Sequence, residues 1–309
     1  MNIGKTEFLT RFITIPQIRN GLREIFPTPS GPQPRPISVP AISGNASLIG
    51  IAFDYLIKLI LKARFERTDG DLWQTLEKVL SRVERLEMDF ASPIHRTMQY
   101  YRDIKVLSPD KQLSDLIRDV ILMARATADE LRRCGEVKDD LLESCIKISQ
   151  IDGIFKGHGW FPKSLGNVVR QQVRELRMLC NALNDSWMAP KFYCNIKCDF
   201  PNANTIAKGE PDLVIDQMLI DIKTVRDLKL RRSYFDQLLG YYCLSLIERV
   251  LYGSGEHTIS ELCIYYSRYG YLHRIPIRTL SMEEKASKLI GLFLMHGDSI
   301  PVLNRSKHE

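Results

Sequence analysis

The sequence predicts a mixed α/β (α+β) fold: a small mixed β-sheet flanked by helices, with a large and mostly helical insertion. Three observations lead there. Residues 72–186 repeat apolar positions at three- and four-residue spacing, as in LWQTLEKVLSRVERL and LSDLIRDVILMARATADELRR. Strand character begins only past Pro190. From there to the end, strands are interleaved with two helices.

The 309 residues suffice for one large core or about two modest domains, with 44% hydrophobic and 26% charged residues, ordinary values for a globular chain. Lys and Arg exceed Asp and Glu by 43 to 37, a net charge of +6. That mild excess permits a nucleic-acid partner and excludes histone-like or arm-type binders, which concentrate far more charge. The N-terminal MNIGKTEFLTRF carries charges where a signal peptide needs an apolar run, and no segment reaches the ~18 apolar residues of a membrane span. Seven scattered cysteines, an odd number, suit a reducing cytoplasm. Cys194 and Cys198 lie in an extended segment where four residues span roughly 13 Å, too far to share a metal without a bend.

Residues 5–25 suggest one or two short amphipathic helices. Six prolines between Phe26 and Gly44 then impose an extended connector, closing an N-terminal segment over 1–46. A first core helix follows over 47–67, with Ser47 as its N-cap. The helical insertion occupies 68–189, with breaks at Ser92-Pro93, Ser108-Pro109, Gly135 and 157–162. The sheet core fills 190–309: strand 191–198, hairpin 211–224, helix 233–250, strands near 259–267 and 270–277, and helix 281–295.

The chemistry concentrates in GEPDLVIDQMLIDIKTV, residues 209–225. A hairpin turning at Asp216-Gln217 sets 215 opposite 218, 213 opposite 220, 212 opposite 221 and 210 opposite 223. One face is then wholly apolar (Pro211, Leu213, Ile215, Met218, Ile220, Ile222) and belongs to the core. The other carries Glu210, Asp212, Val214, Leu219, Asp221 and Lys223. Facing aspartates ~5 Å apart destabilise a bare sheet, and a hard divalent cation between them would convert the repulsion into binding. Carboxylates for Mg2+ or Mn2+ beside an ammonium suit phosphodiester hydrolysis. A solvated hairpin face with two salt bridges is the other reading.

Pro211-Asp212 followed by Asp221-Ile222-Lys223 resembles the signature of the PD-(D/E)XK nucleases. Gln237-Leu238-Leu239-Gly240-Tyr241 on the next helix resembles the Q-x-x-x-Y motif of their RecB-type branch, and its Gln and Tyr share a helix face. Gly50-Ile51-Ala52-Phe53-Asp54 stands where that branch has G-x-x-x-H, with Asp in place of the His ligand, a substitution that suits Mg2+. The resemblance covers about residues 45–67 and 190–280. It implies a restriction-endonuclease-like core, Asp212 and Asp221 as metal ligands, the Ile222 carbonyl as a further one, and Asp54 and Glu210 as additional candidates. It also implies Lys223 as the catalytic lysine, with Gln237 and Tyr241 positioning that lysine or the substrate. It does not extend to the four-cysteine iron–sulfur cluster of some relatives, since Cys263 is the last cysteine.

Arg226, Lys229, Arg231 and Arg232 follow the catalytic strand and suit phosphate contacts, although a solvated loop accounts for them too. Gly4-Lys5-Thr6 lacks the upstream glycine and strand of a P-loop, so no nucleotide cofactor is expected. None of the six histidines shows ligand spacing, and His158 reads as a turn residue. The expected partner is DNA, duplex or single-stranded. A protein partner or invading DNA would gate cleavage by analogy with prokaryotic anti-phage defence or DNA processing. A catalytically silent nuclease-fold subunit and an RNA-directed enzyme share the same fold and stay open.

Overall fold

The computed structural model describes residues 5–65, 68–69, 72–90, 92–155, 165–183, 185–195, 203, 209–253 and 258–296. Gly4, His158, Cys198 and the far end of the strand expected over 191–198 lie outside them. Among the described residues no helix is long and apolar enough to cross a membrane.

The chain opens with two helices, α1 (Lys5–Thr14) and α2 (Pro16–Ile25), divided where Pro16 takes the first helical position of α2. After the connector, α3 (Ala46–Arg64) starts two residues before the position that Ser47 as a cap implies. Its cap is Asn45, whose side chain accepts the Leu48 N–H at 3.1 Å. The reason lies upstream, where the amides of Ile42 and Ser43 are held by the Glu175 carboxylate and the chain turns directly into the helix. Apolar residues bury α3 nearly all round, from Leu48 to Leu61, which makes it a central helix.

Against it pack α6 (Leu113–Cys134), α7 (Asp139–Phe155) and α8 (Arg170–Asn181), with α4 (Leu72–Glu87) on α6 and α5 (Pro93–Asp103) on α4. The breaks between them follow local chemistry. The Ser92 hydroxyl accepts the His95 N–H at 3.0 Å with Pro93 behind it, and Gly135 ends α6 in a left-handed conformation (φ 72°).

The sheet runs in the order β1 (Thr68–Asp69), β2 (Cys194–Asn195), β3 (Leu213–Ile215), β4 (Met218–Lys223), β5 (Glu261–Tyr266), β6 (Tyr271–Pro276). β1/β2 and β4/β5 are parallel and the other neighbours antiparallel, so the sheet is mixed. The parallel step from β4 to β5 requires a crossover, supplied by α9 (Arg232–Tyr252). Helix α10 (Met282–His296) follows β6. The hairpin has the expected register where it pairs, with Leu213 opposite Ile220 and Ile215 opposite Met218, while the expected pairs 212/221 and 210/223 fall outside the ladder. Its turn residue Asp216 has φ 52°, and its carboxylate accepts the N–H groups of Lys191, Phe192 and Tyr193, tying the turn to the segment before β2.

Both faces of this sheet are covered. Leu213, Ile215, Ile220 and Tyr265 join α3–α8 in one apolar cluster; Val214, Leu219, Ile264 and Tyr266 join α1, α2, α9 and α10 in a second. The hairpin face that carries Asp221 is therefore not a solvated one. The alternation is real, but the crossover helix lies on its polar side, and Val214 and Leu219 pack beneath it.

The proline-rich connector runs past the edge strand β6 and is fastened at both ends. Arg232 of α9 donates to the Phe26 carbonyl at 2.6 Å while pairing with Asp236, and the Arg35 guanidinium lies 3.7 Å over the Tyr271 ring. At the far end, the carbonyl of Arg268 accepts the N–H groups of Ser38 and Val39. The Arg268 guanidinium meets Glu175 at 2.5 Å, both side chains being fully buried. Burial would push the Glu175 carboxyl up, but Arg268 and the amides of Ser43 and Ile42 outweigh it and hold the carboxyl below its ordinary range.

Removing one partner of such a buried pair strands the other charge. Arg268→Ala is expected to lower the unfolding free energy by about 3–5 kcal/mol in urea denaturation, and Glu175→Leu with Arg268→Met to recover most of that loss. A loss below about 1 kcal/mol for Arg268→Ala would contradict the clamp.

Candidate active site

In a two-residue hairpin whose 215/218 pair closes the turn, hydrogen-bonded pairs recur at 213/220 and then at 211/222. The ladder stops before that last pair. Pro211 has no N–H to contribute, and the Ile222 N–H donates to the Asp212 carboxylate at 2.6 Å instead. The strands fork here, and Asp212 lies outside β3 with its side chain clasping the partner strand. Gly209, just upstream, lies against Leu244 and Leu9, where an added Cβ would come within 2.8 Å of both side chains.

On β4, Asp221 is only 1% exposed. Its Oδ2 lies 2.7 Å from Nζ of Lys223, two residues on along the same face. Lys223 also donates to Oε1 of Gln237 at 3.1 Å, and Nε2 of Gln237 donates to the Tyr241 hydroxyl at 2.8 Å. The order of donors is forced: an ammonium only donates, so Gln237 presents its oxygen to Lys223 and its NH2 to Tyr241. Tyr241 is fully buried and fixes the end of this chain. Tyr234, one turn before Gln237, sets its ring centroid 5.1 Å from the same ammonium.

Helix α3 reaches this point from the other side of the sheet. Gly50 lies against the Thr224 side chain, directly after β4, at a distance where even a Cβ would be in ordinary van der Waals contact. One turn on, Asp54 pairs with Lys58 at 2.9 Å. The charges of all these groups act on one another. Burial raises the Asp221 carboxyl to about 7; Lys223 opposes that rise, while Asp212 and Asp54 add to it. Burial would lower the Lys58 ammonium, but Asp54, Asp212 and Glu210 win and hold it at about 12. Burial, then the carboxylates of Asp152, Asp54 and Glu210, push the Tyr55 hydroxyl well above its ordinary value.

The structure thus brings together Asp54, Glu210, Asp212, Asp221, Ile222, Lys223, Gln237 and Tyr241 from three separate segments of the chain. Lys58, Asp152 and Tyr234 join them without having been singled out in the sequence. Lys58 and Tyr234 had a usable signal, each lying one helical turn from a motif residue, whereas Asp152 lies on α7 and only the tertiary fold brings it close. Of the basic run, Arg226, Lys229 and Arg231 are exposed, on a loop whose carbonyls at 226 and 229 accept the hydroxyls of Tyr269 and Tyr266. Arg232 differs, since its guanidinium is turned inward to Asp236, Phe26 and Thr28.

Among the described residues no three His, Cys, Asp or Glu side chains stand together at metal-ligand spacing. Two ammonium groups are interleaved with the carboxylates and pair with Asp54 and Asp221. The donor set nevertheless fits a hard divalent cation: it is oxygen throughout, and the excess of negative charge around buried Asp221 is what such an ion would relieve.

The raised Asp221 carboxyl makes stability depend on pH. Its folded value of about 7 exceeds the unfolded ~3.9, so the folded state holds a proton that the unfolded state releases. Stability is therefore lost as pH rises from ~4 to 7 and is level above that. In EDTA, Asp221→Asn is expected to be more stable than the native protein at pH 8 by on the order of 1–2 kcal/mol, with the gap closing toward pH 4. Equal stability at pH 8, or a gap that widens in acid, would contradict this account.

No protein-family model matches the chain, and no curated protein or solved structure matches it either. What the site does is read from its own side chains.

Proposed function

We propose that this protein is a Mg2+- or Mn2+-dependent nuclease of the PD-(D/E)XK type, acting on DNA through a restriction-endonuclease-like core. The observation that carries the reading is the position of Lys223, held between Asp221 at 2.7 Å and Gln237 at 3.1 Å. Asp-x-Lys on a strand and Gln-x-x-x-Tyr on the following helix are separate motifs, and one ammonium group joins them.

In this reading Asp212, Asp221 and the Ile222 carbonyl would hold the cation, with Asp54 and Glu210 beside them. When bound, such an ion polarises a phosphate oxygen and lowers the pKa of water at the site. The chain's own groups do the rest. Asp221 and Gln237 hold the Lys223 ammonium at the carboxyl end of β4, where it can orient the attacking water and stabilise charge developing on the phosphate. Tyr241 holds the Gln237 amide so that its oxygen keeps facing Lys223. The exposed Arg226, Lys229 and Arg231 adjoin the end of β4 and would grip the phosphate backbone without reading sequence.

The test is incubation of purified protein with linear, circular and single-stranded DNA, and with RNA, in Mn2+ or in EDTA. Cleavage of DNA in Mn2+ is expected, with loss of more than about a hundredfold in Asp221→Ala and Lys223→Ala and about tenfold in Gln237→Ala. Full activity of Asp221→Ala and Lys223→Ala, or cleavage indifferent to EDTA, would overturn the reading.

A further inference from the structure

We infer that Lys58 is a built-in counter-cation of the site, pairing with the carboxylates on its α3 side and competing there with a divalent ion. The inference rests on the proposed metal-dependent reading and concerns a residue that no motif of that reading contains. The geometry is specific. Lys58 lies one turn after Asp54 on the same face of α3, with Nζ 2.9 Å from Oδ2 of Asp54. Its side chain is 15% exposed and that of Asp54 is 23%, so the pair sits in the protein wall rather than in bulk solvent.

Just before its first turn, α3 is tied to the Glu175–Arg268 pair through the Ser43 N–H. The acids acting on Lys58 are Asp54, Asp212 and Glu210. Asp54 comes from its own helix, and the other two from the segment leading into β3. These are the oxygens that would serve a metal ion. Lys223 plays the matching part for Asp221 on the opposite side. A cluster of acids close enough to repel is thus balanced by one ammonium on each flank.

Two consequences follow from Coulomb's law. With no divalent ion, Lys58 offsets the repulsion among the acids and supports the fold. With a divalent ion, the same ammonium repels it and occupies Asp54, so the ion binds more weakly than the carboxylates alone would allow. Loss of a purely structural contact would not tighten metal binding. That difference makes the role measurable.

The experiment titrates Mn2+ into the full-length protein by calorimetry, comparing native protein, Lys58→Gln, Lys58→Met and Lys58→Arg, with melting temperatures in EDTA. Lys58→Gln and Lys58→Met are expected to bind Mn2+ about tenfold more tightly and to melt lower in EDTA, while Lys58→Arg stays near the native affinity. Lys58→Met keeps the apolar stem and serves if Lys58→Gln does not fold. Native protein that binds Mn2+ with neutral variants of equal or weaker affinity would overturn this inference and leave the nuclease reading standing. No Mn2+ binding by the native protein and the neutral variants alike would overturn both.

Discussion

Asp221 is a carboxyl group in the interior of a six-stranded sheet, on a strand with neighbours on both sides and apolar layers above and below. Taking an ionised carboxylate out of water costs several kcal/mol unless charge and hydrogen bonds replace the lost hydration. Here the replacement is incomplete. Lys223 answers one oxygen, while Asp212 and Asp54 act against the charge. The surroundings can be understood as the means of holding that charge in place, and a fold built only for stability would have put a leucine there.

From this constraint much of the local architecture follows. The ammonium that answers Asp221 must itself be held, and α9 does so through Gln237 and Tyr241. Helix α9 in turn is the crossover that a parallel β4/β5 pair requires, so topology and site share one element. The hairpin must open where the acids lie, and Pro211 with the Asp212–Ile222 contact opens it. Asp54, the one acid of α3, arrives on a helix that packs against Thr224 at Gly50 and that the connector leads into. That connector is fastened by Arg232 near its start and by Arg268 with Glu175 near its end. A residue such as Glu175, remote in sequence and on another helix, therefore bears on where Asp54 lies.

Much of this was legible in the sequence, for reasons that differ by element. The hairpin register could be read because one face, from Leu213 to Ile222 around a two-residue turn, is wholly apolar, while the acids and Lys223 all fall on the other, so that a slip by one residue would bury the charges in the core. The Lys223–Gln237–Tyr241 chain was foreshadowed by helical spacing, which puts Gln237 and Tyr241 on one face. Other features depend on long-range packing. Asn45 rather than Ser47 caps α3 because Glu175 fixes the preceding amides, a contact across more than a hundred residues of chain. The alternative of a solvated hairpin face fails because α9 lies across it, and the apolar Val214 and Leu219 on that face were its one local sign. Lys58 stayed hidden because a lysine one turn from an aspartate is the commonest of surface pairs, and only the convergence of Asp212 and Glu210 on it makes it more. The Pro-rich connector read as a spacer, since its ordering comes from side chains on α8, α9 and the β5–β6 turn.

The proposed function requires the carboxylates of Asp212 and Asp221 to form one cation site beside a tethered lysine. Crystals soaked in Mn2+ test it directly through anomalous scattering. The account predicts a peak bridging the two carboxylates and the Ile222 carbonyl, with Lys223 still hydrogen-bonded to Gln237. A peak elsewhere, or none while the Asp221–Lys223 ion pair stays closed, would contradict it.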